Sequence, residues 1–552
     1  MDLICRFRGS RLCPALFALF GLALSGAAFG ASLATVPVQA GATPAAQIDI
    51  GPVSAGNRDS ALPEGWQHGA FSEIFVRGYR DSDGDGIGDL RGLTASLDYL
   101  HDLGVRGIWL MPITRSLDHD HGYAVTDYRD IEPAYGTLAD FDELLRQAHA
   151  RGIGVIIDYV INHSAATHPI FLDAAARRDS VYRDWYLWRE PAPRGWRIYG
   201  RDPWVVTGTG AYLAQFSPTM PDFNLLNARV LAFHEDNLRF WLNRGVDGFR
   251  FDAAAHLVEN GPDAWYDQPQ NYVLLNRLRA VVAGYAHRYL VCEAVHSIVA
   301  YAAPTACGGA FLFGGGSAIV KAARGERDGI AAVAGFFRDQ PATLATMVSN
   351  HDLFAGERLW DQVHGDRAQY RLAAASYLLL PGTPFIYYGE EIGMSASPGL
   401  EGDVKLRTPM SWTDDRRNAG FTSGTPYRPV AANIARQNVA TERSEPDSLL
   451  AWYTSLLRLR NAHASLARGS YERSFVDGNV MGFRRRLGDE TTLVLINYGK
   501  KPAQVSLRDL PASAHLRQVF PSDDGAALTI TDKGSTPVAV GAQSLRVFTL
   551  TK

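Results

Sequence analysis

The chain has 552 residues, 46% of them hydrophobic and 20% charged, which excludes disorder and small cross-linked scaffolds and implies a large buried core. Its 54 Lys and Arg against 58 Asp and Glu leave a net charge of -4, so no basic field exists to draw in nucleic acid. A neutral partner is expected.

At the start, Arg6, Arg8 and Arg11 precede an apolar run from Pro14 to Leu24 and then small residues, the pattern of a secretory signal over residues 1–30. The run is short for a membrane span, so no membrane association is expected after cleavage, and the destination is the periplasm or the medium. Residues 31–64 are rich in Ala, Pro, Thr and Ser without helical or strand period and read as a flexible lead-in. Cys5 and Cys13 leave with the signal. Cys292 and Cys307 remain, either as one disulfide of an exported chain or as buried thiols.

From Phe71 to Glu391 short apolar runs recur, each ending in polar residues and mostly followed by a helical pattern: SEIFVRG, VRGIWLMP, GVIIDYVINH, GVDGFRFD, YLVCEA, TLATMVSNHD and PFIYYGEE. A weaker run at Ala310 to Phe313 supplies an eighth, sixth in order. Alternating strands and helices at this spacing predict a (β/α)8 TIM barrel over residues 65–162 and 225–469, with its active site at the carboxyl ends of the strands. The stretch 163–224, dense in Trp and Tyr, is too long for a loop and reads as a small domain inserted after the third strand. Past residue 469, period-two runs such as TTLVLINY and LRVFTL without helices between them predict a C-terminal antiparallel β-sandwich over 470–552.

Four strand ends carry chemistry: Asp158 with Asn162 and His163, Arg250 with Asp252 and His256, Glu293, and Asn350 with His351 and Asp352. Singly, such an Asp caps a helix or pairs with an Arg. Together they supply what cleavage of a glycosidic bond requires, one carboxylate at the anomeric carbon and one acid for the leaving oxygen. Arg250, two residues before Asp252, projects to the same face of its strand, where a cation keeps that carboxylate ionised and oriented.

DYVINH at 158–163, GFRFDAAAH at 248–256, CEA around Glu293 and SNHD at 349–352 resemble, in order, the signature segments of the α-amylase family of glycoside hydrolases. HGYAVTDYRDIEPAYGT at 121–137 and PGTPFIYYGEEIG at 381–393 are similar to that family as well. MPDFN at 220–224 resembles the MPDLN form of bacterial α-amylases intermediate between oligo-1,6-glucosidases and neopullulanases. The resemblance implies Asp252 as nucleophile, Glu293 as general acid and base, Asp352 as the third carboxylate, and retention of anomeric configuration. It also implies that His163 and His351 hydrogen-bond the sugar at the cleavage point while Tyr123 stacks on it. His256 faces either the leaving-side sugar or solvent. Exo-acting oligo-1,6-glucosidases carry an Asp where Ala124 stands, so its absence argues for endo attack. Many endo-amylases carry Lys or Arg where Ala255 stands, which leaves leaving-side binding open.

DSDGDGIGD at 81–89 sets Asp81, Asp83, Asp85 and Asp89 at positions 1, 3, 5 and 9 with Gly86 at 6, an oxygen-rich spacing suited to calcium, although Gly92 replaces the Glu of an EF-hand. The segment also resembles the calcium loop after the first barrel strand in the oligo-1,6-glucosidase branch, which adds the carbonyl of Ile87. Asn162 resembles a ligand of a second calcium site that the sequence does not complete. The expected protein is therefore a secreted, monomeric, calcium-stabilised α-amylase acting on starch or maltooligosaccharides. An exo-acting α-glucosidase or transglycosylase, and a catalytically silent glucan-binding protein, are the alternatives.

Overall fold

The computed structural model describes residues 48–508, 515–521, 527–530 and 535–551. The expected signal at 1–30 lies outside them. No helix of the described residues is long and apolar enough to cross a membrane.

Eight parallel strands form the central sheet: β1 (Phe71–Ile74), β2 (Gly107–Leu110), β3 (Gly154–Val160), β4 (Gly248–Asp252), β5 (Tyr289–Cys292), β6 (Ala310–Phe311), β7 (Leu344–Ala345) and β8 (Phe385–Tyr387). Each pairs with its sequence neighbour, β1 also pairs with β8, and a bridge between Thr346 and Pro384 closes the circle between β7 and β8. The strands are short and almost wholly buried because helices cover the sheet outside and side chains fill it inside, so apolar residues are wanted on both faces. Inside, Phe71, Trp109, Ile156, Val291, Phe311 and Phe385 pack into one cluster. Trp66 closes its floor. A Cβ on Gly154 would stand 2.2 Å from the Trp66 ring, so the strand passes over that indole only as glycine.

The lead-in expectation is corrected for residues 48–64. This segment has no helix or strand, yet Leu62 is buried in the floor cluster and the chain is tied to the barrel by backbone bonds. Ala286 N donates to Arg58 O at 2.8 Å, Asn243 Nδ2 to Ser54 O at 2.9 Å, and His287 Nδ1 lies 2.9 Å from Leu62 O. Backbone groups near the barrel floor need partners, and the segment supplies them.

Between β3 and the next barrel helix (Ala228–Arg244), the insert carries a helix (Pro169–Ala176) and a three-stranded antiparallel sheet. Its tryptophans serve packing. Trp185 and Trp204 are buried, and Trp188 stacks on Phe171 with ring centroids 5.8 Å apart. The C-terminal domain pairs a six-stranded and a two-stranded antiparallel sheet around Val480, Leu495, Val505 and Val538, a sandwich. Its other face, with Met481, Phe483 and Val547, joins the barrel's helical core. Arg485 crosses that boundary to donate to Leu379 O at 3.0 Å.

Candidate active site

The predicted strand ends meet at one end of the barrel, around a single guanidinium. Arg250, 1% exposed, donates through Nη1 to Asp158 at 2.9 Å and to Asp252 at 2.5 Å, and through Nη2 reaches Glu293 Oε2 at 2.7 Å. Its guanidinium also lies 5.3 Å from the Trp109 ring and 5.8 Å from that of Tyr123. The same-face expectation for Arg250 and Asp252 holds because both occupy alternate positions of β4.

Exposure sorts the carboxylates. The side chains of Asp252, Glu293 and Asp352 retain 10%, 14% and 18% of their surface, whereas Asp158 is sealed at 0%. Three carboxylates can therefore meet a substrate, and Asp158 orients Arg250 and Tyr123, whose hydroxyl donates to it at 3.0 Å. Burial pushes the Asp252 carboxyl up, Arg250 pulls it down, and the nearby charges of Glu293 and Asp158 raise it further. Both contacts of Glu293 fall on Oε2, from Arg250 and from the Ala253 amide at 2.9 Å.

A second charged chain supports Asp352. His351 Nδ1 meets Glu73 at 2.6 Å and its Nε2 meets Asp352 at 3.0 Å and the Tyr123 hydroxyl at 2.7 Å. Burial alone would lower His351, but Asp352 and Glu73 outweigh it and raise the imidazole to about 10. Glu73 is itself pushed up by burial although His351 pulls it down. The imidazolium is therefore secured chiefly by Asp352, whose carboxyl His351, Arg407 and Arg250 hold well below the usual range against its burial. Arg407 Nη2 lies 3.0 Å from Asp352 Oδ1.

His163 is buried, lowered to about 3 by that burial and so neutral, and its Nε2 has no partner among the described residues. An unpaired donor or acceptor in the interior is costly, so this atom is suited to a ligand hydroxyl. Beside it, Asn162 Nδ2 donates to Asp222 at 3.1 Å, and the Gln215 amide donates to His256 O at 3.0 Å and to Glu259. Burial pushes Asp222 up to about 7. Asp222 thus accepts from Asn162 and also from Gln215 N, at 3.2 Å.

In the acidic loop, ligand atoms of Asp81, Asp83 and Asp89 lie within 4.8 Å of one another. Asp85 stands outside this grouping and accepts from Ile87 N at 2.7 Å. The three carboxylates converge without a direct ion pair among the described residues, although Arg91 lies within electrostatic reach of Asp83 and Asp89, and hard oxygens in this arrangement fit calcium. The loop grips the segment after β8: Asp81 N donates to Phe421 O and Tyr427 N to Gly86 O, both at 3.0 Å. Gly86, at φ 92°, would place a Cβ 2.1 Å from Thr425 O, so only glycine passes there.

The family profile described as "Alpha amylase, catalytic domain" matches residues 73–469. The chain belongs to the α-amylase family of glycoside hydrolases. It is 34% identical over 452 residues to Alpha-amylase 3 of Dictyoglomus thermophilum, spanning 79% of this chain and 86% of that protein. It is 30% identical to an oligo-1,6-glucosidase of Parageobacillus thermoglucosidasius, spanning 80% and 92%. Among solved structures it resembles an α-amylase from H. orenii (TM-score 0.74, 33% identity, 88% and 99% covered). It also resembles Bacillus licheniformis trehalose-6-phosphate hydrolase (TM-score 0.75, 26% identity, 89% and 100% covered). Similarity to both amylases and glucosidases agrees with an intermediate place in the α-amylase family.

Sequence reasoning missed Glu73, Trp109 and Arg407. Glu73 lies next to the end of β1 just as Asp158 lies near the end of β3, and that repeated acid near a strand end is a signal that could have found it. Arg407 lies in an irregular segment with no pattern to mark it. The family-like PGTPFIYYGEEIG segment turns out to carry a support: buried Glu390 accepts from Tyr377 at 2.6 Å, Tyr453 at 2.8 Å and Ser349 at 3.1 Å, beneath the SNHD turn.

Proposed function

We propose that this chain is a secreted, retaining α-amylase that cleaves internal α-1,4 bonds of starch and maltooligosaccharides. The observation that carries this reading is the single Arg250 guanidinium shared by Asp252 and Glu293, with Asp352 held by His351 and Arg407. Asp252 attacks the anomeric carbon while Glu293 gives its proton to the leaving oxygen, producing a covalent glycosyl–Asp252 ester. Glu293, now a carboxylate, takes a proton from water as the water oxygen displaces Asp252 and restores the original configuration. Asp352 and His351 hold sugar hydroxyls, His163 Nε2 donates to another, and Tyr123 faces the ring.

Ala124 favours endo attack, since no carboxylate stands there to grip a chain end. The oligo-1,6-glucosidase similarity favours the second reading, an exo-acting α-glucosidase. The Cys292–Cys307 disulfide supports export to an oxidising space. We assign calcium to Asp81, Asp83 and Asp89, with the neighbouring Asp85 and Ile87; when bound it neutralises the converging carboxylates and locks the loop to the segment after β8.

The test is the early product distribution from soluble starch and maltoheptaose for wild type and Asp252→Asn. Mixed short oligosaccharides from wild type and none from the variant are expected. Glucose alone from the earliest times would overturn endo attack, and an inactive wild type would return the glucan-binding alternative.

A further inference from the structure

Arg407 supports Asp352 from a stretch of chain that lies in no helix or strand. Backbone carbonyls buried without a ladder need other donors, and here side chains supply them. The carbonyl of Leu406 accepts from Tyr387 Oη at 3.2 Å and from Arg358 Nε and Nη2 at 3.0 and 2.6 Å. That of Arg407 accepts from Tyr427 Oη at 2.6 Å and, at 3.4 Å, from Arg428 Nη1. That of Thr408 accepts from Tyr388 Oη at 2.6 Å. Three successive carbonyls thus each take a tyrosine hydroxyl.

These donors are themselves fixed. Tyr387 and Tyr388 stand at the end of β8 and just past it, and buried Arg358 has its guanidinium 4.5 and 5.0 Å from their rings. Its Nη1 donates to Tyr388 O at 2.9 Å. Tyr427 lies in the later segment that the loop at 81–89 grips through Gly86 O. Where the chain leaves β1, a Cβ on Gly78 would stand 2.7 Å from the Tyr427 hydroxyl and 2.8 Å from that of Tyr388, so glycine leaves both hydroxyls room. Burial raises all three phenols, which therefore stay protonated and able to donate. A tyrosine on a loop carbonyl is ordinary packing; here the middle carbonyl belongs to the residue that holds a reactive-site acid. The Arg407 guanidinium donates through Nε to His351 O at 3.3 Å and through Nη2 to Asp352 Oδ1 at 3.0 Å.

We propose that Tyr388 and Tyr427 are positioning residues for the reaction: their hydroxyls fix the main chain at 407–408 and so aim the Arg407 guanidinium at Asp352. This rests on the part taken by Asp352 in the hydrolysis proposed above. A long side chain donates along a fixed line only where its own backbone is fixed, and Arg407 has no ladder to do that. Moving a charged donor by about an ångström weakens the interactions that Asp352 makes in the transition state more than those of the bound substrate, so the loss falls on kcat.

Tyr427→Phe and Tyr388→Phe keep the rings and remove one donor each. Each should lower kcat roughly tenfold on maltoheptaose and on 4-nitrophenyl α-glucoside alike, with KM within about twofold and the melting temperature little changed. Arg407→Lys keeps the charge but lacks the fork that reaches Asp352, so in that background Tyr427→Phe should cost less than about twofold more. A hydroxyl that only stabilises the fold would cost the same factor in both backgrounds. That result, a loss confined to KM, or rates within about twofold of wild type in both single variants would overturn the proposal. A wild type that cleaves the glucoside but not maltoheptaose would overturn the maltooligosaccharide reading instead, and the glucoside rates would decide the tyrosines. A wild type inactive on both would overturn both.

Discussion

Arg250→Met removes the cation that touches Asp158, Asp252 and Glu293, while keeping an unbranched apolar side chain against Trp109. A charge pair with centres about 4 Å apart is worth about 4 kcal/mol at an effective dielectric near 20, or roughly three pKa units. Asp252 already stands above the ordinary carboxylate range through burial and its acidic neighbours, with Arg250 pulling the other way. Without the guanidinium that opposing pull is lost, the carboxyl rises further, and the ionised form needed for attack is disfavoured. We expect kcat/KM on maltoheptaose at pH near 6 to fall about a thousandfold and its acid limb to move up by as much as three units. Initial rates across the pH range measure both. Thermal melting on the same samples guards against misfolding: the three acids repel least when protonated, so the variant should approach wild-type stability as the pH is lowered. An acid limb that does not move, or a rate within tenfold of wild type, would refute the claim that Arg250 keeps the nucleophile ionised.

Two further outcomes follow from the charge arrangement. His351 is raised from 6.5 to about 10 in the folded chain, so its stabilisation is complete below pH about 6.5 and is lost as the pH rises through about 10. In His351→Gln the fall in Tm across that alkaline window should flatten; a fall as steep as wild type in melts taken against pH would contradict the Glu73–His351–Asp352 account. For the loop at 81–89, saturating calcium at a hundred times Kd contributes about 2.7 kcal/mol, so chelation should lower Tm by about 3 °C in wild type and leave Asp81→Asn unmoved. Equal responses in both would rule out this calcium assignment.

The barrel and the acids at its strand ends were legible in the chain because their signals are local. GVIIDYV reads as a strand from seven consecutive residues, and DAAAH, CEA and SNHD each place their chemistry within a few positions of a strand end. The weak sixth strand was legible too, since its neighbours fixed where a strand had to fall. Irregular segments carry no such period. Residues 48–64 read as loose because their order depends on Asn243, Ala286 and His287, which lie on the barrel surface they follow.

Amino-acid order alone determined the alternation of strand and helix, the inserted and C-terminal domains, and the residue types at each strand end, since these rest on spacing between near neighbours. Only the tertiary structure decided which of those residues act on one another. Glu73 and His351 are 278 positions apart, Arg407 and Asp352 are 55 apart, and Tyr199 reaches His256 across 57. Charge pairing and desolvation act through space over a few ångströms, and a closed barrel brings together strand ends that the sequence keeps far apart.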